Sequence, residues 1–282
     1  MAPRPSRALK RRLEQLVEST DGVARREADP VGFVHRFGEP GDVEVVGLLA
    51  ASLAFGNVVA VRRSIGRVLD VLGEHPAESI RPPRARARLH RDLDGFVHRV
   101  WRGEHVATML ANAGELRDEH GSLGALLGTR VTEAGDFREG LARFADALRG
   151  PEPDRSLRHL LPDPRAGSAC KRLLLYVRWM VRPADGVDLG QWDLPASELV
   201  IPVDTHIHRI GRNLGLTERN DASWRTAEEI TAALRRYDAS DPVRYDFALC
   251  HHGISRECPS RRDDAKCRPC ALRTVCRAYR AG

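Results

Sequence analysis

The stretch CPSRRDDAKCRPCALRTVC, residues 258–276, decides how the chain is read. Its cysteines follow the array Cys258-x8-Cys267-x2-Cys270-x5-Cys276. Thiolates spaced so closely can converge on one metal centre without a supporting sheet. Two centres suit them, a tetrahedral zinc ion or a cubane iron–sulfur cluster. Arg256, Arg261, Arg262, Lys266, Arg268 and Arg273 surround the four thiols. A metal loop this rich in positive charge is suited to meeting phosphate.

Working outward, the two remaining cysteines, Cys170 and Cys250, each lie on an apolar, helix-like stretch. A secreted disulfide framework would spread its cysteines along the chain, so the pattern points to an intracellular protein. At 282 residues there is length for one large domain or two modest ones, and the formal charge of +6 favours an anionic partner without demanding one. The basic stretch of residues 1–12, with Pro3 and Pro5, lacks the apolar core of a secretory signal. Residues 45–61 carry no charge, yet Gly56-Asn57 interrupts them, which predicts a buried helix, a turn and a second helix in place of a membrane crossing.

Richness in Ala, Leu, Arg and Glu, few aromatics and few period-two runs predict an all-α protein. Leu9, Leu13 and Leu16 share one face of a helix over residues 8–18. Asp42 is placed to cap an apolar helix over 43–54, and a helix over 58–73 carries Val61, Ile65, Val68, Leu69 and Leu72 at helical spacing. Pro76, Pro82 and Pro83 mark a loop. Gly103, Gly114, Gly121, Gly128 and Gly135 punctuate several short helices between 91 and 148, and Gly150-Pro151-Glu152-Pro153 reads as a linker. A Pro/Gly turn over 161–167 then feeds a helix with Lys171 in its first turn, and Asp204 stands where another helix opens. Of 45 basic residues only three are lysines, Lys10, Lys171 and Lys266. Guanidinium stays protonated in a protein, so a lysine set among arginines is the residue able to do amine chemistry.

Three features recur in one order: a Pro/Gly hairpin leading to an early lysine, then Val203-Asp204-Thr205-His206-Ile207, then the cysteine loop. This resembles the helix-hairpin-helix DNA glycosylases of the endonuclease III superfamily. The likeness is strongest in IPVDTHIHRIGRNLGL (201–216) and continues through FALCHHGISREC (247–258), covering roughly residues 160–276. The last two cysteine intervals agree with the superfamily and the first is two residues longer. The string GSACKR (167–172) followed by Arg178-Trp179-Met180 is similar to an uncharacterised bacterial branch of the superfamily. One departure stands out. Asp163-Pro164 replaces part of the usual hairpin, and Lys171 falls four residues after Gly167 where the family has two. Two residues on a helix turn a side chain by about 200°.

The resemblance implies a two-domain all-α fold with a C-terminal [4Fe–4S] loop, zinc being the alternative. One domain, 31–195, would be a central bundle containing the hairpin. The other would join 1–30 to 196–282. It implies a base-excision DNA glycosylase, with or without an associated AP lyase step, that flips a damaged or mismatched base out of double-stranded DNA. Asp204 and Lys171 would be catalytic, and Cys258, Cys267, Cys270 and Cys276 would ligate the cluster. The enzyme is expected to be a cytoplasmic, nucleoid-associated monomer with no membrane partner. The alternative on the same fold is a non-catalytic protein that recognises damaged or branched DNA, a reading the altered hairpin supports.

Overall fold

The computed structural model describes residues 6–255 and 257–280, so Arg256 of the cysteine loop lies outside the described residues. Regular structure is mostly helix. Among the described residues the sheet is a single hairpin, Val97–His98 paired antiparallel with Trp101–Arg102. The chain divides into two units. One gathers the described residues of 1–25, 167–174 and 195–282, and the other holds 26–166 and 175–194.

The larger unit is organised by the helix Pro40–Leu53, which is apolar nearly all round and buried from Asp42 to Leu53. Asp42 does not cap it. Pro40 occupies the first helical position, where its missing N–H costs nothing, so Glu39 is the cap residue and Asp42 falls inside the first turn. There its Oδ1 accepts a hydrogen bond from the backbone N–H of Ala77 at 2.7 Å. Gly56, at φ +105°, turns the chain. The Asn57 side chain then caps the helix Val58–Leu72 by accepting from the N–H groups of Val59 and Ala60. The uncharged run of residues 45–61 is therefore helix, turn and helix. Among the described residues no helix is long and apolar enough to cross a membrane.

The glycine punctuation expected between 91 and 148 fails at Gly114 and at Gly128, which lies inside the helix Leu123–Ala134. Gly114 does not break a helix, because Gly103–His120 runs through it unbroken. A Cβ at Gly114 would lie 1.9 Å from the carbonyl oxygen of Ile80, so the glycine permits a close approach of backbone. Residues 150–153 form a turn inside the unit: Gly150 ends the helix Phe137–Arg149, and Asp154 caps the helix Arg155–Leu160. The proline loop also contains a turn of helix, Pro76–Ser79.

The smaller unit assembles Arg7–Ser19, Thr205–Leu214, Trp224–Arg235 and Asp246–Ile254. Leu9, Leu13 and Leu16 of the first of these helices are buried. Gly253 lets Asp246–Ile254 close on Thr205–Leu214, since a Cβ there would come within 2.6 Å of the His206 Cβ. Residues 167–174 belong to this unit, although the boundaries read from the sequence put them in the central bundle. Ser168 forms an isolated antiparallel bridge with Ser223, and the N–H of Trp224 donates to the Gly167 carbonyl at 3.0 Å.

Candidate active site

Asp204 ends an extended segment and caps the helix Thr205–Leu214. Its Oδ1 accepts from the backbone N–H groups of His206 and Ile207, both at 2.8 Å. Two such bonds satisfy orphan donors of the first turn and hold the carboxylate at the positive end of the helix dipole. The second oxygen, Oδ2, is held differently. Lys171 Nζ lies 3.7 Å away, a charge contact longer than a hydrogen bond, and the Cys250 thiol donates to the same oxygen at 3.5 Å. The Asp204 side chain is 14% exposed and that of Lys171 is 33% exposed, so both can be reached from solvent.

Lys171 is the first residue of the helix Lys171–Val181. Gly167 at φ +84° and Cys170 at φ +47° shape the approach to it. Ser168 forms the bridge to Ser223, and residues 168–170 precede the helix that Lys171 opens. The amine and the carboxylate, far apart in sequence, thus meet at the starts of two helices within one unit. His206, next in the cap, contacts Nη2 of Arg209 through Nδ1 at 3.2 Å. Burial lowers its pKa; Asp204 opposes that shift, while Arg209 and Lys171 add to it. A neutral imidazole beside Asp204 leaves the carboxylate's charge facing Lys171.

The cysteine loop is built from short pieces: Asp264–Cys267, capped by the Asp263 side chain, the 3-10 turn Arg273–Val275 and the helix Arg277–Arg280. Cys258 and Cys270 have thiols pushed up in pKa, first by burial and further by negative charge on other loop cysteines. For Cys270 those neighbours are Cys258, Cys276 and Cys267; for Cys258 the neighbour is Cys276. The thiols of Cys258 and Cys270 thus lie near enough to other loop cysteines for charge on those to matter. Among the described residues, however, no three His, Cys, Asp or Glu side chains stand as a ready-made metal site. The donor chemistry of four cysteines fits a thiolate-bound centre. Arg261, Arg262, Lys266, Arg268 and Arg273 are exposed. Arg262 lies over the Tyr279 ring at 4.7 Å and pairs with Asp264 at 2.9 Å.

A family model described as protein of unknown function (DUF2400) matches residues 29–255. The chain belongs to this family. No curated protein and no solved structure matches it. The match takes in Lys171, Asp204 and Cys250 and ends before Cys258, so the candidate active site lies inside the DUF2400 region and the cysteine array beyond it. Two residues that join these regions escape a sequence reading. Arg209 donates to the Cys258 carbonyl at 2.7 Å as well as contacting His206, tying the loop to the helix that Asp204 caps. His252, buried in the helix Asp246–Ile254, contacts Glu257 Oε2 at 2.8 Å and Cys270 Sγ at 3.4 Å. Arg209 sits little more than one turn after Asp204, a spacing that hints at a shared surface, and His252 lies in the FALCHHGISREC stretch without a role read from it.

Proposed function

We propose that this DUF2400 chain is a DNA base-excision glycosylase acting on lesion-containing duplex DNA. The fold in this reading is the two-domain helix-hairpin-helix glycosylase architecture, with the cysteine loop holding a [4Fe–4S] cluster. The observation that carries the proposal is the state of Asp204: one oxygen is fixed by the helix start, while the other is loosely held and faces the amine of Lys171.

Breaking a glycosidic C–N bond builds positive charge on the deoxyribose, and a fixed carboxylate beside C1′ opposes that charge. The cap supplies the fixing, so little reorganisation is needed as the charge develops. Lys171, once deprotonated, can attack C1′. The N–C1′ bond forms as the glycosidic bond breaks, and the base leaves with the electron pair. Proton loss from nitrogen and opening of the sugar ring then give a Schiff base. If water attacks instead, base release occurs with no covalent adduct.

Two further features support a nucleic-acid partner. Exposed arginines of the cysteine loop are suited to phosphate. In the other unit Phe55, Val58, Val59, Val97 and Val100 are exposed, and Arg99 lies over the Phe55 ring at 5.5 Å. Exposed apolar side chains flanked by arginine suit a wedge between bases. Cys258, Cys267, Cys270 and Cys276 would hold the cluster, which in this reading is structural and folds the arginine-bearing loop. The protein would act as a monomer in the cytoplasm, at the nucleoid.

The test is a panel of duplexes carrying oxidised, alkylated or mismatched bases, assayed for base release with and without borohydride. Release from at least one lesion is expected, with a borohydride-trapped adduct on that duplex if Lys171 is the nucleophile. Duplex binding with no release from any lesion would favour the non-catalytic alternative.

A further inference from the structure

Lys171 and Asp204 come from separate parts of the chain, and one short segment is bound to the supports of both. The helix that Asp204 caps, Thr205–Leu214, ends on Gly215 at φ +71°, and residues 216–223 lead from there to the helix Trp224–Arg235. The near end of this segment is tied back to the capped helix. Leu216 N–H donates to the Gly211 carbonyl at 2.8 Å, and His208 Nε2 donates to the Arg219 carbonyl at 3.0 Å. The far end is tied to the hairpin. Ser223 bridges Ser168, and the Trp224 N–H donates to the Gly167 carbonyl at 3.0 Å. Ser168 Oγ in turn accepts from the Cys170 N–H at 3.3 Å, and Cys170 holds φ +47° immediately before Lys171. A residue with a side chain stays in that left-handed region only where its surroundings fix it.

Between the two ends, Asp221 sets the bend. Its Oδ1 accepts from the Ser223 N–H at 3.2 Å and lies 2.9 Å from the hydroxyl of Thr226, which is fully buried. Its Oδ2 accepts from Arg219 Nη2 at 3.0 Å, while Arg219 Nε donates to the Thr226 hydroxyl at 3.2 Å. Hydrogen bonds from Ser223, then Thr226, then Arg219 hold the Asp221 carboxyl well below the usual carboxylate range. We propose that residues 215–223 are the strut that holds Lys171 against Asp204, with Asp221 as its positioning residue. The proposal rests on the excision reading for its effect on rate, while its geometry is separate from that reading. Asp221 acts through others: it fixes Ser223, Ser223 fixes the hairpin, and the hairpin aims the amine. An amine displaced by about 1 Å from its attacking position loses rate without losing substrate.

The experiment compares wild type, Asp221→Ala, Asp221→Asn and Tyr245→Phe by two readouts. Tyr245→Phe is the control for general loosening, because it removes a 2.7 Å hydrogen bond to Glu14 in the same unit. Three lysines make reductive 13C-methylation an uncluttered NMR probe, and Lys171→Arg assigns the Lys171 signal. Asp221→Ala frees the strut, so the Lys171 signal should leave its wild-type position. Asp221→Asn keeps an acceptor for Ser223 and should bring the signal back, and Tyr245→Phe should not move it. On unmethylated protein with the cognate lesion, Asp221→Ala should lower kcat for base release about ten-fold at unchanged KM, with rescue by Asp221→Asn. If Asp221→Ala does not fold, Thr226→Val removes the hydroxyl with little change of shape and carries the same expectations. An unmoved Lys171 signal in the strut variant would overturn the proposal, as would a Tyr245→Phe protein that moves it equally. Absence of base release by wild type would sink the excision reading alone, since the NMR comparison decides the role of the strut without it.

Discussion

Asp204 and Glu44 both receive two backbone N–H groups from a helix start, and they differ in what happens to the second oxygen. Glu44, in the larger unit, is saturated. Its Oε1 accepts from Gly124 N–H at 3.0 Å and Trp192 Nε1 at 2.7 Å, and its Oε2 from Arg117 Nε at 3.0 Å and Leu123 N–H at 3.2 Å. The side chain is 5% exposed, and the hydroxyl of Tyr176 donates to the Glu44 backbone carbonyl. Every lone pair that burial would leave costly is used, so Glu44 joins three parts of its unit and has nothing to offer a substrate. Asp204 spends one oxygen on the helix and leaves the other to a thiol and a distant ammonium. The same residue chemistry is saturated in one place and leaves an oxygen less firmly held in the other. Satisfaction of the second oxygen distinguishes them.

The contrast can be broken by substitution. Glu44→Ala should be the most damaging change to stability, because Arg117 and two backbone donors lose their buried acceptor. A loss of about 3–5 kcal/mol is expected in denaturant unfolding. A loss below about 1 kcal/mol would mean Glu44 is not the saturated hub its hydrogen bonds describe. Next in size is Gly253→Ala, which would press a methyl group into His206 and separate the two helices that meet there. About 1–3 kcal/mol is expected from unfolding curves, and a neutral result would show the close approach is not needed. Asp204→Ala should cost about 1 kcal/mol through removal of the cap, and Asp204→Asn only a few tenths, since Asn caps nearly as well. If the Asn variant unfolds as readily as the Ala variant, the cap is not what fixes Oδ1. The smallest effect concerns the loop. Changing Arg261 and Arg262 together to Ala should reduce the slope of log affinity against log salt for duplex DNA by about two, one for each phosphate no longer neutralised. An unchanged slope would remove these arginines from the interface.

Much of the molecule is legible in its sequence, and the limits are instructive. Asp204 can be placed because an acidic residue before an apolar-periodic run is a local cap signal. Lys171 can be singled out because so few basic residues are lysines. The all-helical character follows from periodicity and composition. Asp42 misleads because Pro40, two residues earlier, moves the cap to Glu39, and Gly114 because a glycine serving close packing looks the same in sequence as one that breaks a helix. Cys250 is invisible as a site residue. Its bond to Asp204 arises only when two helices pack, and no local pattern encodes which face of Asp246–Ile254 meets the capped helix start. The proximity of the loop thiols likewise follows from spacing only in outline, since their separations depend on how its short helices fold.

If Asp204 differs from Glu44 in the way proposed, its open oxygen takes part in chemistry and is not merely the idle half of a cap. Single-turnover base release on the cognate lesion duplex, compared between wild type and Asp204→Asn, probes this difference without an intermediary. Duplex affinity and unfolding free energy are taken on the same preparations. Asp204→Asn should bind the duplex and unfold much as wild type does, while its rate of base release falls by about 10²–10³. An Asp204→Asn protein that releases the base at the wild-type rate would reduce Asp204 to a helix cap, with no part in excision.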